Sequence, residues 1–125
     1  MKKTIWVIDD ESSILEVIKV LLEEHNYNVK NFNNPNDVLN FSDKEPAPSV
    51  ICLDLYLSGA DGRDLAKQLK KNEFTKKIPL LIMTADVHID EKSKEALADD
   101  FLRKPFSIKD FLDKIDLLIQ TSSKS

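Results

Sequence analysis

Five polar side chains closely follow apolar, strand-length runs of the chain, and their types suit phosphoryl chemistry. Two acids, Asp9 and Asp10, follow the first run, and a third acid, Asp54, follows a later one. The hydroxyl of Thr84 and the ammonium group of Lys104 follow two further runs. Ligands of open parallel sheets bind at the carboxyl ends of the strands. If these strands lie near one another, three carboxylates, one hydroxyl and one ammonium group converge on a small volume.

Three carboxylates in one pocket would repel one another, and a bound Mg²⁺ ion would remove that conflict. Mg²⁺ prefers oxygen ligands and is typically held by one or two carboxylates together with phosphate oxygens. Asp54 then becomes a candidate nucleophile, because an aspartate carboxylate can attack phosphorus and form an acyl phosphate. Lys104 would bring a positive charge to the phosphoryl oxygens, and the Thr84 hydroxyl would form a hydrogen bond with one of them.

Each of these residues also has a structural explanation when it is taken alone. Asp9 and Asp10 precede a predicted helix, where exposed amides and the helix dipole favour acids. Asp54 could start a turn, Thr84 is of a type common at strand ends, and Lys104 could be a solvated surface lysine. Their shared position after the strands is what favours a common site, because chance would scatter them over both edges of the sheet.

Alternating strands and helices are the elements that must position these side chains. Apolar runs predict five strands, at residues 5–8, 27–32, 50–53, 78–83 and 101–102. The clearest runs are apolar on both faces, which favours a parallel sheet covered by helices on both sides. The predicted fold class is therefore α/β, with a doubly wound five-stranded parallel sheet and five helices.

Capping residues mark the starts of the first two predicted helices. Ser13 with Glu16 matches a capping box after the first strand. Asn34 followed by Pro35 predicts an N-cap with proline at the first helical position, and the short helix that follows extends through Phe41.

The remaining three helices are predicted from apolar spacing. The third covers about residues 61–71 and the fourth about residues 90–97, where the apolar pattern is thin. The last begins at Ser107, which forms a capping box with Asp110, and carries a broad apolar stripe able to cover a sheet. Residues 121–125 form a polar tail that we expect to fray, which leaves residues 1–120 as one domain.

Composition excludes several classes of protein. The chain has 125 residues, 42% of them hydrophobic, and a net charge of −4, which suits one folded domain and disfavours a surface built for nucleic acid. No apolar run is long enough for a membrane helix. The single cysteine, Cys52, suits a reduced cytoplasm. A basic stretch is expected to be a solvated edge; it contains Lys70, Lys71, Lys76 and Lys77.

The motifs at these positions resemble the receiver domains of bacterial two-component response regulators. The resemblance covers residues 4 to about 120, and it depends on several motifs occurring in one order. These are Asp9-Asp10, Asp54-Leu55 after an apolar strand, Gly62, Thr84-Ala85, and the run from Asp99 through Lys104-Pro105 to Phe106.

The resemblance implies a flavodoxin-like fold with strand order 2-1-3-4-5. It also implies that Asp54 is the phosphoacceptor. Mg²⁺ would be held by Asp9, Asp10, Asp54 and the backbone carbonyl of Tyr56, with Asp9 acting mostly through water.

Further roles follow from the same resemblance. Thr84 and Lys104 would sense the phosphate and complete the catalytic set with Asp54, and the peptide bond between Lys104 and Pro105 would be cis. Phe101 takes the place of the switch aromatic, without the hydroxyl of the commoner tyrosine. Phosphorylation would draw Thr84 toward the phosphate and let Phe101 turn inward, which alters the surface of the fourth helix, fifth strand and fifth helix.

The leading hypothesis is a stand-alone cytoplasmic receiver that takes a phosphoryl group from a phosphohistidine donor. The expected donor is a sensor histidine kinase or a histidine phosphotransfer protein, and the expected output is contact with an unidentified protein. Direct contact with nucleic acid or with a membrane is not expected, and the chain would catalyse chemistry only on itself.

Three alternatives stay open at this point. A Mg²⁺-dependent phosphatase could also use an aspartyl phosphate, although phosphatases of the haloacid dehalogenase type carry an Asp-x-Asp pattern after the first strand, where this chain has Asp9-Asp10. A binding module could keep the fold without using phosphorylation. The chain could also be a receiver cut from a longer regulator or hybrid kinase, with residues 121–125 as the stub of a linker.

Overall fold

A parallel sheet of five strands forms the centre of the computed structural model, which describes residues 2–40, 46–57, 60–85 and 98–123. The strands, in their order across the sheet, are β2 (Asn28–Phe32), β1 (Thr4–Ile8), β3 (Val50–Asp54), β6 (Leu80–Thr84) and β7 (Asp100–Arg103). The carboxyl ends of all five strands therefore lie along one edge.

The strand order confirms the prediction of a doubly wound sheet. Counted along the chain within this sheet, the order is 2-1-3-4-5, and every neighbouring pair is parallel. An antiparallel hairpin of β4 (Tyr56–Leu57) and β5 (Ala60–Asp61) follows β3. The sequence pattern does not predict this hairpin, because strands of two residues show no alternation.

The described part of the chain contains four helices. They are α1 (Ser12–Glu24), α2 (Pro35–Leu39), α3 (Gly62–Lys71) and a C-terminal helix (Ile108–Ser123). The predicted fourth helix at residues 90–97 lies outside the described residues, as does Phe41, the predicted end of α2. Within the described ranges, no helix combines the length and apolar character that a bilayer span requires.

Two apolar layers cover the two faces of the sheet, because successive strand residues point to opposite sides. Val7 and Cys52 belong to the layer that includes side chains of α1 and the C-terminal helix. Ile8 and Leu53, their neighbours in sequence, belong to the layer that includes side chains of α2 and α3. Strands buried on both faces are what produced the continuous apolar runs in the sequence.

Capping predictions are confirmed for α2 and wrong for α1. The Asn34 side chain accepts a hydrogen bond from the Asp37 amide at 3.0 Å, and Pro35 occupies the first helical position. In α1 the predicted cap, Ser13, lies inside the helix. The Glu11 amide donates to the Asp9 carboxylate at 3.0 Å, and α1 begins at Ser12 without a side-chain cap.

The C-terminal helix is longer than predicted. Its start agrees with the expected cap, because the Asp110 amide donates to Ser107 Oγ at 3.1 Å. Its end differs, because the helix continues to Ser123 and includes part of the predicted tail at 121–125. The Thr121 hydroxyl donates to the Leu117 carbonyl at 3.0 Å, which provides that polar residue with a partner inside the helix.

Candidate functional site

The ammonium group of Lys104 joins two carboxylates at the carboxyl edge of the sheet. Lys104 Nζ lies 2.6 Å from Asp9 Oδ2 and 2.9 Å from Asp54 Oδ2. Asp9 follows β1 and Asp54 ends β3, which are adjacent strands, whereas Lys104 follows the edge strand β7. Lys104 therefore reaches past the end of β6 to Asp54 at the end of β3 and to Asp9 after β1.

Burial makes these ion pairs necessary. The side chain of Asp9 is 0% exposed, that of Asp54 is 10% exposed and that of Lys104 is 15% exposed. Buried charges are costly unless they are paired and hydrogen-bonded. Burial by itself lowers the pKa of Lys104, but hydrogen bonds to Asp9 and Asp54 outweigh it, so the net pKa is raised. The ammonium form is therefore the stable form at neutral pH.

Thr84 and Asp10 lie at the same edge of the sheet. Thr84 ends β6, is fully buried, and its carbonyl accepts a hydrogen bond from the Lys104 amide at 2.8 Å. Because β6 lies between β3 and β7, Thr84 is positioned between Asp54 and Lys104. Asp10 follows Asp9 in the loop before α1 and is half-buried. The predicted site residues thus gather at one edge, with direct contacts between Lys104, Asp9 and Asp54.

The donor set is compatible with a hard cation. Within the described ranges, no group of three or more His, Cys, Asp and Glu side chains is arranged to hold a metal. A protein site for Mg²⁺, however, needs only one or two carboxylates, with waters and phosphate oxygens completing the shell. Asp9 and Asp54 supply two buried carboxylates that already share one positive charge, and Tyr56 supplies a backbone carbonyl in the strand that follows.

Gly62 holds the loop after Asp54 against the sheet. The Gly62 amide donates to the Leu55 carbonyl at 2.7 Å. A Cβ atom at Gly62 would lie 2.6 Å from the Asp54 carbonyl oxygen and 2.6 Å from Leu55 Cα, which is too close for any side chain. Sequence analysis found Gly62 only as part of a motif. Its physical role is to let α3 begin against the backbone of the candidate phosphoacceptor.

Phe101 has a charged neighbour, Lys114, that sequence analysis missed. Lys114 Nζ lies 5.9 Å from the centroid of the Phe101 ring and 3.0 Å from Asp100 Oδ2. No signal in the linear sequence identifies Lys114, because it is one of many lysines and reaches β7 from the C-terminal helix.

The peptide bond between Lys104 and Pro105 is cis, as the resemblance implied.

The prediction that the basic stretch is a solvated edge is wrong for Lys70. Its side chain is only 14% exposed, and Nζ lies 2.8 Å from Asp99 Oδ2 and 3.0 Å from the Ile78 carbonyl. The same Asp99 carboxylate oxygen accepts the Leu80 amide at 2.7 Å. Lys70 thus connects α3 to the starts of β6 and β7. The other three lysines of the stretch are exposed as expected; they are Lys71, Lys76 and Lys77.

An apolar groove of about 410 Å³ lies beside Lys104. It runs between α1 and the segment that joins β7 to the C-terminal helix. Val17 is 58% exposed and Ile108 is 50% exposed along it, so these apolar surfaces face solvent in the isolated chain.

Comparison with known proteins gives one consistent family. The family model described as response regulator receiver domain matches residues 5–116. The phosphate regulon transcriptional regulatory protein PhoB of Pseudomonas aeruginosa is 34% identical over 94% of this chain and 52% of its own length. The alkaline phosphatase synthesis transcriptional regulatory protein PhoP of Bacillus subtilis is 32% identical over 98% of this chain. The chain spans about half the length of these relatives.

Solved structures share the fold. A response regulator from Chloroflexus aurantiacus superposes with a TM-score of 0.88 at 25% identity, covering 96% of this chain and 99% of that one. The chemotaxis protein CheY4 of Vibrio cholerae superposes with a TM-score of 0.86 at 21% identity, covering 94% of this chain and 99% of that one.

Proposed function

We propose a function for this chain from one premise, which is that it belongs to the response regulator receiver domain family. Asp54 accepts a phosphoryl group. The phosphorylated protein then signals through an altered surface. The premise rests on the family match over residues 5–116. The donor proposed for this chain is a phosphohistidine on a sensor histidine kinase or on a histidine phosphotransfer protein.

One observation carries the proposal. Lys104 contacts Asp54 at 2.9 Å and Asp9 at 2.6 Å in a nearly buried site at the carboxyl edge of the sheet. Phosphoryl transfer depends mainly on positioning and on neutralisation of charge, and this arrangement supplies both. The contact also supports Asp54 over Asp9 as the acceptor, because Asp54 is the less buried of the two carboxylates.

The proposed reaction is a displacement at phosphorus. A carboxylate oxygen of Asp54 forms a bond to phosphorus, the bond from phosphorus to the donor histidine nitrogen breaks, and its electron pair leaves with that nitrogen. Lys104 then places its ammonium group on a phosphoryl oxygen, and the Thr84 hydroxyl donates a hydrogen bond to another. Asp10, Asp54 and the Tyr56 carbonyl would hold Mg²⁺, with Asp9 acting mostly through water, and the ion would supply positive charge for an anionic donor near three carboxylates. The chain acts as a catalyst only on itself.

The signal is proposed to arise from linked movements of the Thr84 and Phe101 side chains. Both belong to neighbouring strands, because Thr84 ends β6 and Phe101 lies in β7. Movement of Thr84 toward the phosphoryl group leaves room for the half-buried Phe101 ring to turn inward. The surface affected comprises β7, the C-terminal helix and the predicted helix at 90–97, which lies outside the described residues.

The partner of this surface is proposed to be a protein. The relatives named transcriptional regulatory proteins are about twice as long as this chain, so their names do not assign a nucleic-acid contact to it. A net charge of −4 also disfavours a direct nucleic-acid contact. The free, buried thiol of Cys52 fits a reducing cytoplasm as the place of action.

Mass spectrometry after incubation with Mg²⁺ and acetyl phosphate tests the proposal. The wild-type chain should gain the mass of one phosphoryl group, and removal of Mg²⁺ with a chelator should abolish the gain. Asp54→Asn should abolish it as well, whereas Asp64→Asn, which changes an exposed acid of α3, should not. A mass gain that survives Asp54→Asn would overturn the proposal.

A further inference from the structure

Phe101 and Leu102 occupy opposite faces of the edge strand β7. Leu102 packs with Phe111 and Ile115 in the layer beneath the C-terminal helix. Phe101 packs against the other layer, which contains Ile82 of the neighbouring strand. An edge strand has one open side, and a side chain from one face can reach around that side to the other face.

Lys114 makes such a contact. It belongs to the C-terminal helix, and its ammonium group lies 3.0 and 3.1 Å from the two carboxylate oxygens of Asp100. The same group lies 5.9 Å from the Phe101 ring centroid, which is within cation–π range. Asp100 also accepts the Phe101 amide at 2.8 Å, so one carboxylate holds both the lysine and the backbone of the aromatic residue.

We propose that Lys114, anchored by Asp100, is a positioning residue that holds the Phe101 ring at the open edge of β7 and thereby restrains the switch. This inference rests on the proposed function, because it assigns a restraint to the same aromatic residue. An inward turn of the ring takes it away from the ammonium group. The contact therefore favours the ring position of this structure, and its loss shifts the population toward the phosphorylation-competent state.

The rate of Asp54 phosphorylation by acetyl phosphate with Mg²⁺ tests the restraint. Lys114→Met should raise this rate about two- to fivefold, the factor that an exposed cation–π contact supports. The affinity for beryllofluoride, a phosphate mimic, should rise by a similar factor. Lys114→Arg, which keeps both the charge and the cation–π contact, should restore wild-type values. Lys109→Met is the matched control, because Lys109 lies on the same helix, is 83% exposed and pairs with the exposed Asp113.

A second test, made in a Phe101→Leu variant, shows whether the effect of Lys114 on the phosphorylation rate acts through the aromatic ring. In Phe101→Leu, which keeps an apolar side chain but has no π system, Lys114→Met should leave the phosphorylation rate unchanged. An equal acceleration in that background would overturn the inference, as would a wild-type rate in Lys114→Met alone. Thermal unfolding of each variant separates these effects from loss of folded protein. Failure of wild-type protein to be phosphorylated at all would instead overturn the proposed function, and this inference with it.

Discussion

The ammonium group of Lys104 lies between two carboxylates, 2.6 Å from Asp9 and 2.9 Å from Asp54, so the two acids share one positive charge. Asp9 is fully buried and also accepts the Glu11 amide, which fixes it at the start of α1. Asp54 is the more exposed of the two carboxylates, with 10% of its side chain exposed against 0% for Asp9.

Lys104→Met should remove the positive charge that two buried carboxylates share. We expect the free energy of unfolding, measured with urea in the absence of Mg²⁺, to fall by about 3 kcal/mol. Added Mg²⁺ should raise the unfolding midpoint more in this variant than in the wild type, because the cation then replaces the positive charge that Lys104 supplied. Equal Mg²⁺ effects in both proteins would contradict the assignment of Asp9 and Asp54 to a cation site.

Thr84→Val should slow phosphorylation of Asp54 about tenfold, the cost of one lost hydrogen bond to a charged oxygen. Valine keeps the shape of the buried side chain and removes only the hydroxyl, so the fold should persist. Thr84→Ser provides the comparison, since it keeps the hydroxyl and should retain most of the rate. If serine and valine slow the reaction equally, packing rather than the hydroxyl accounts for the effect.

Gly62→Ala should damage the site through the backbone. The added Cβ atom meets the Asp54 carbonyl oxygen and Leu55 Cα, both at 2.6 Å, so α3 or the end of β3 must move. We expect a loss of about 1 to 3 kcal/mol in unfolding free energy, together with slower phosphorylation. Asp64→Ala, in the first turn of the same helix, should change neither quantity appreciably. A fully stable Gly62→Ala protein would show that the close approach is absent.

Lys70→Met should lower the unfolding free energy by about 1 kcal/mol, a value discounted for the partial exposure of Asp99. The substitution removes the contacts with Asp99 and with the Ile78 carbonyl. Lys71→Met changes the exposed neighbour and should remain within about 0.5 kcal/mol of wild type. Indistinguishable urea midpoints for the two variants would mean that Lys70 is the solvated residue first expected.

Tyr27 should make the stability of the folded protein depend on pH in the alkaline range. Burial, followed by the hydrogen bond that its hydroxyl donates to Asp116, raises the pKa of Tyr27. A folded-state pKa above the unfolded value contributes stability that is present below the unfolded pKa and is lost as the pH rises above it. Above about pH 10, the wild-type unfolding midpoint should therefore fall more steeply than that of Tyr27→Phe. Parallel pH profiles for the two proteins would contradict this.

Sequence reasoning succeeded where one local signal determined the result. Strands buried on both faces produce continuous apolar runs, so the strand that ends at Asp54 could be predicted from its own residues. The positions of Asp9 and Lys104 then followed from the rule that parallel strands end at one edge. Their contact with Asp54 is a consequence of strand order, which the family resemblance supplied and the structure confirmed.

The missed features depend on contacts between distant parts of the chain. Lys70 meets Asp99 across 29 positions, and Lys114 meets Asp100 across the boundary between a helix and a strand. A lysine in such a contact has no local pattern that separates it from its solvated neighbours. The failed cap at Ser13 has another cause, because Asp9 accepts the Glu11 amide and the helix starts earlier.

The reactive centre is assembled from residues that are far apart along the polypeptide, since Lys104 is 95 positions from Asp9 and 50 from Asp54. A chain emerging from the ribosome contains both acids well before it contains the lysine, and β7 must join the sheet before the three groups can meet. A copy in which β7 has not yet joined the sheet therefore lacks the assembled site on which the proposed phosphorylation depends. If the proposal holds, only a completely folded copy of the protein can carry the signal.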